Sequence, residues 1–185
     1  MRLPFIQNDA RLKKLQIGQA RVLSKKYKQI GYIVQDLIAQ TLRIKDRHRK
    51  ILTKYFSYYR KLSPHLQYAF EEKLAYFMYS KKFVGADDVV ITDKMRVLIS
   101  AYSAQLTMGM SDYYFKILHK VVVHRSRFYS TSQKKMVAWE LRNQDEIHLS
   151  WYHLYMGASK DQENHQYALA IMSNILMLED RKSVV

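Results

Sequence analysis

Cysteine is absent from the 185 residues, so this chain can build no disulfide, no thiolate zinc site and no cysteine nucleophile. His, Asp and Glu are left as the side chains able to hold a metal. Proline and glycine are scarce, at two and five residues, which speaks against a turn-rich all-β fold and for helices. No stretch approaches the roughly 20 apolar residues of a membrane-spanning helix. Met1 to Ala10 lacks the charged-then-apolar order of a secretory leader, so a cytoplasmic location is the expectation. Neither a Gly-x-Ser-x-Gly elbow nor a Gly-rich phosphate loop occurs, which leaves serine hydrolase and nucleotide chemistry without support.

Acidic residues are also scarce, but only at one end. Residues 1–61 hold 16 Lys/Arg against 3 Asp/Glu, whereas residues 62–185 hold 15 against 13. The net charge of +15 therefore belongs to the N-terminal third, and only that third calls for an anionic partner. From about Arg11 to Ile44, apolar residues recur by threes and fours at Leu23, Tyr27, Ile30, Val34, Leu37 and Ile44, with Thr41 the one polar interruption. That spacing predicts a long helix with one apolar face. Lys25, Lys26, Lys28, Arg43, Lys45, Arg47, Arg49 and Lys50 are the candidate interaction residues around it. Such a helix suits docking or self-association through its stripe, or an anionic surface: nucleic acid, a lipid headgroup layer or an acidic protein.

The rest of the chain has the composition of an ordinary globular domain, with 48% hydrophobic residues. Ser63-Pro64 is a helix start, and Leu66, Phe70, Leu74 and Phe77 carry one face through about residue 81. Lys82 to Gly85 reads as a break, and Val89 to Thr92 as a short strand or bridge. Asp93 is expected to cap a largely buried helix ending at Gly109. The β-branched runs at 120–124, 137–141 and 147–150 predict a small sheet of about three strands. Ser150 should open a short helix ending at Gly157, and a last helix is expected over 162–179. The expected class is α+β, mostly helical, with a small mixed sheet in the middle. It divides into a basic helical segment, 1–54, and a domain, 55–185. The seven His include no i, i+4 pair, and neither Asp145-Glu146 with His148 nor Glu163 with His165 is assigned a role.

Phe83-Val84-Gly85, then Ile91 to Ala101, then Gln105 to Gly109, followed by Val121 to Val123, Phe128-Tyr129 and Leu149-Ser150-Trp151, form an ordered series of blocks. This series resembles the MtfA-like (Mlc titration factor A) zinc-dependent peptidases over about residues 55–180. The resemblance implies a zincin-like scaffold whose motif helix carries His-Glu-x-x-His. In that motif, two His one helical turn apart bind Zn²⁺ and the Glu is general base for the zinc-bound water. Here the matching stretch runs from Asn164 to Leu176, and Ala170, Ile171 and Asn174 stand at the first His, the Glu and the second His. The family's further Glu ligand, on a later helix, has no counterpart before Val185. The expectation is a truncated, degenerate member of the family, a pseudoenzyme without catalytic residues or zinc. Its partner would be another protein, acidic or a transcriptional regulator by family analogy. The alternatives are a zinc peptidase completed by another subunit or by a continuation of the chain, and anion binding through the basic helix.

Overall fold

The computed structural model describes residues 42–110, 115, 117–143, 145–159 and 162–183. The chain groups into two units, residues 1–41 and Leu42–Val185. The first lies outside the described residues, and with it most of the expected basic helix, Lys25, Lys26 and Lys28 included.

The second unit opens with an irregular stretch, Leu42 to Lys45, before helix α1, Asp46–Tyr55. Ile44, expected as the last rung of a helical stripe, sits in that irregular stretch and is buried by tertiary packing. Residues 42–54, grouped by the sequence with the N-terminal segment, are part of this unit, and their Ile44 and Leu52 are buried in its core. Each such side chain contributes about 1.5–3 kcal/mol by leaving water. Helix α2, Ser57–Lys61, leads to Ser63, the N-cap of α3, Pro64–Ser80, with Pro64 in the first turn as expected.

Strand β1, Lys82–Gly85, replaces the expected break, and Val89 to Thr92 forms no strand. Gly85 explains the exchange. A Cβ there would lie 1.7 Å from the Val89 carbonyl oxygen, so only glycine lets the chain double back directly after β1. Val89 N–H closes the turn onto the Ala86 carbonyl at 3.0 Å. Helix α4, Asp93–Thr107, is capped by Thr92, whose hydroxyl accepts from Met95 N–H. Asp93 is its first residue, one position past the expected cap. The first turn of a helix leaves backbone N–H groups without intrahelical acceptors, and the Thr92 hydroxyl satisfies one of them.

The remainder is β2, Lys120–His124; β3, Phe128–Ser130; β4, Lys135–Val137; β5, Trp139–Arg142; β6, Glu146–Ser150; α5, Trp151–Ser159; and α6, Gln162–Ser183. The main sheet has the order β1-β2-β6-β5, parallel except for β5, and β3 pairs with β4 in a separate antiparallel hairpin. The result is α+β, with helices and a small mixed sheet, and one more strand in the sheet than expected plus the hairpin.

Alternation along the strands gives this sheet two unlike faces. Val121, Val123, Ile147 and Leu149 are fully buried and join the apolar core that includes residues of α1, α3, α4, α5 and α6. Helix α4 lies at the centre of that core, against α1, α3, α5 and α6. Its Tyr102 meets Phe56 edge to face at 5.2 Å, and its hydroxyl donates to the Leu154 carbonyl at 3.3 Å. Phe56, Tyr58 and Tyr59 also meet the Phe70 ring, at 5.6–6.1 Å, so this aromatic segment packs against the core. Among the described residues no helix is long and apolar enough to cross a membrane.

Candidate functional site

Helix α6 packs against α4 and α5 and presents positions 170, 171 and 174 in two directions. Ile171 is 1% exposed and lies in the core with Ala168, Met172 and Ile175. Ala170 and Asn174, one turn apart, share the exposed side. The Asn174 side-chain amide donates to the Ala170 carbonyl at 2.9 Å. The polar group at 174 is thus turned back onto its own helix. What these positions offer a cation is one neutral amide oxygen, a methyl group and a buried aliphatic chain, and Zn²⁺ needs imidazole, carboxylate or thiolate donors. This donor set does not fit a zinc ion. No group of three His, Cys, Asp or Glu placed to hold a metal occurs elsewhere among the described residues.

The matching sequence profile decides the family: that of the glucose-regulated metallo-peptidases M90 covers residues 32–171. The chain belongs to that family. This M90 member is also similar to an uncharacterized protein of Synechocystis sp., 30% identical over 78 residues, which is 42% of this chain and 28% of the relative. The chain thus matches less than a third of that relative's length.

The basic candidates of the M90 chain are partly engaged within the unit. Arg49 grips the Glu71 carboxylate at 2.9–3.1 Å through Nε and Nη2 and reaches Asp46 at 2.8 Å. The Tyr59 hydroxyl donates to the same carboxylate at 2.6 Å. Burial and that carboxylate together raise the Tyr59 phenol above its usual range. Arg47 pairs with Asp93 at 2.8 Å, and Arg43 reaches Glu72 at 3.5 Å and the Tyr68 hydroxyl. Lys45 and Lys50 are exposed. The three arginines thus fasten α1 and the stretch before it to α3 and α4.

The second concentration of chemistry lies on the polar face of the sheet. Register sets Lys120 beside Glu146, Val122 beside His148 and His124 beside Ser150 on β2 and β6, while β5 places Arg142 beside Glu146 and Glu140 beside His148. Lys120 Nζ donates to Glu146 at 2.8 Å, which holds that carboxyl below its usual range. The other Glu146 oxygen lies 2.7 Å from His148 Nε2, and His148 Nδ1 lies 2.8 Å from His124 Nε2. A carboxylate can only accept, so His148 carries its proton on Nε2, and its Nδ1 lone pair accepts from His124 Nε2–H. Burial lowers the pKa of both imidazoles; Glu146 pulls His148 the other way and Asp87 pulls His124 the other way, without prevailing. Phe128 stacks on His124 at 3.9 Å.

Glu140, 6% exposed, accepts from Ser130 at 2.6 Å, from Arg142 at 2.8 Å and from Ser132, tying the β3–β4 hairpin to the sheet. Burial alone would raise its pKa, but these donors bring it down to about 2. His153 is bonded to Ser150 at 2.8 Å, and His48 is buried, with Nδ1 accepting from Lys45 N–H. The sequence reading assigned no role to Glu146 or His148. The signal that groups them was the alternation in Lys120 to His124 and Glu146 to Ser150, which puts Lys120, His124, Glu146 and His148 on one face once the two strands are paired.

Proposed function

We propose that this M90 member is a non-catalytic, cytoplasmic, protein-binding relative of the family's zinc peptidases. What supports the reading is the trio Ala170, Ile171 and Asn174, which the resemblance aligns with His-Glu-x-x-His: two of them lie on an exposed helix face and the third in the core. Without a carboxylate at 171 there is no general base for a hydrolytic water, and without the imidazoles nothing there holds or polarises that water. What the fold retains is a stable scaffold carrying a basic segment. The partner is then an acidic protein surface, met by the lysines of the basic segment, Lys25, Lys26 and Lys28 in the first unit or Lys45 and Lys50 in the second.

Equilibrium dialysis of the purified chain against Zn²⁺, followed by elemental analysis, tests the first half. Well under one zinc per chain and no hydrolysis of a casein substrate are expected. One tightly held zinc per chain, with cleavage abolished by a chelator, would sink the reading. Binding to double-stranded DNA or to phosphatidylserine vesicles that falls steeply with salt would replace the protein partner with an anionic one.

A further inference from the structure

We infer that the His124–His148 pair is a clasp that stays closed with one added proton, and that a second opens it and lets the β3–β4 hairpin swing on the polar face of the sheet about its Glu140 anchor. The argument begins with the strands. His124 closes β2, His148 is the third residue of β6, and the register brings them diagonally together on one face. Their facing nitrogens are 2.8 Å apart, which leaves room for one hydrogen between them.

In the neutral state that hydrogen sits on His124 Nε2, and Glu146 fixes the His148 tautomer from the far side. A first proton can enter at His124 Nδ1 without breaking either bond. Asp87, after β1, faces that imidazole and favours the charge, while Arg142 on β5 and His148 on β6 oppose it. A second proton has only His148 Nδ1 to go to. Two N–H groups would then confront each other across the gap occupied by one hydrogen, each on a cation. Glu146 and Glu140 attract a charge on His148, and Arg142 repels it, but neither carboxylate restores the lost bond. The rings must part, and Phe128, stacked on His124, is the first residue of β3 and loses its seat.

The hairpin's other attachment behaves differently. Glu140 stays ionised down to about pH 2, so its bonds to Ser130 and Ser132 hold while the imidazoles titrate. The hairpin thus pivots rather than detaches. The sign follows from linkage. The folded pair binds protons less readily than two ordinary imidazoles with pKa 6.5. Its contribution is complete above that value and is lost as pH falls through the two folded steps.

The test combines histidine nitrogen NMR titration with hydrogen exchange on the intact chain. Two separated macroscopic steps are expected for His124 and His148. After correction for intrinsic rates, exchange of the amides of residues 128–137 should be flat through the first step and rise at least about tenfold at the second, the change equivalent to one pKa unit of coupling. In His124→Gln, whose amide can still donate to His148, the jump should vanish while residues 93–107 exchange as before. Independent single-site titration of the two His, or hairpin exchange unmoved through both steps, would overturn the clasp even in the wild type, whatever the variant does.

Discussion

Replacing Ile171 by Glu, and separately replacing Ala170 and Asn174 by His, sets the two faces of α6 against each other. Ile171 is 1% exposed, so truncation to Ala forfeits burial and leaves a cavity, at about 2–5 kcal/mol. Glu adds the cost of a carboxyl in an apolar setting, where it would take up a proton rather than stay charged, for a total of at least about 4 kcal/mol. Ala170 and Asn174 are exposed, and surface changes stay within about 0.5 kcal/mol; Asn174→His also loses the bond to the Ala170 carbonyl, worth about 1 kcal/mol at most. The double variant gains two imidazoles one turn apart, so zinc at about 100 times its dissociation constant should stabilise it by about 2.7 kcal/mol, while the wild-type midpoint stays put. Urea denaturation with and without zinc, followed by far-ultraviolet circular dichroism, measures all three. Ile171→Glu within about 1 kcal/mol of wild type, or Ala170→His costing more than about 2, would show that the helix faces are assigned the wrong way round.

Three further outcomes follow from single contacts. Glu71→Ala should cost about 2 kcal/mol in urea denaturation, because it strands the buried Tyr59 hydroxyl and unpairs Arg49; a loss below about 0.5 would make the network ornamental. Gly85→Ala should lower the midpoint sharply, since its methyl group meets backbone rather than a movable side chain, and an unchanged melting temperature would refute the close turn. Glu140, at about 2 against an ordinary 4.5, contributes stability that is complete above pH 4.5 and fades as pH falls towards 2. Stability of Glu140→Gln relative to wild type should therefore converge across that window, and parallel pH curves would contradict the assignment.

Long elements were legible because their patterns repeat. Pro64 to Ser80 and Asp93 to Thr107 each show several turns of apolar spacing and a recognisable start. The four residues of β1 repeat nothing, and Lys82 with Gly85 looks like a break until β2 supplies the partner. The hairpin hid for the same reason, with three-residue strands around the turn of residues 131–134. The identities of Ala170, Ile171 and Asn174 could be read, but Ala and Ile are both apolar, and nothing local says that one faces solvent and the other the core. The His124–His148 contact depends on the register between strands 24 residues apart, which local spacing does not encode. Arg43, Arg47 and Arg49 read as free surface charge because, Asp46 beside Arg49 apart, their acidic partners lie on other elements.

The outer strands of the main sheet, β1 and β5, have only four residues each, and both carry charge: Lys82 begins one, and Glu140 and Arg142 lie on the other. A strand from a second molecule that tried to extend the sheet would find few backbone groups to pair with, and across β5 it would have to lie beside an ion pair already engaged with its own hairpin. The sheet is therefore guarded against growing sideways into aggregates, and a partner is better met through side chains than by adding a strand.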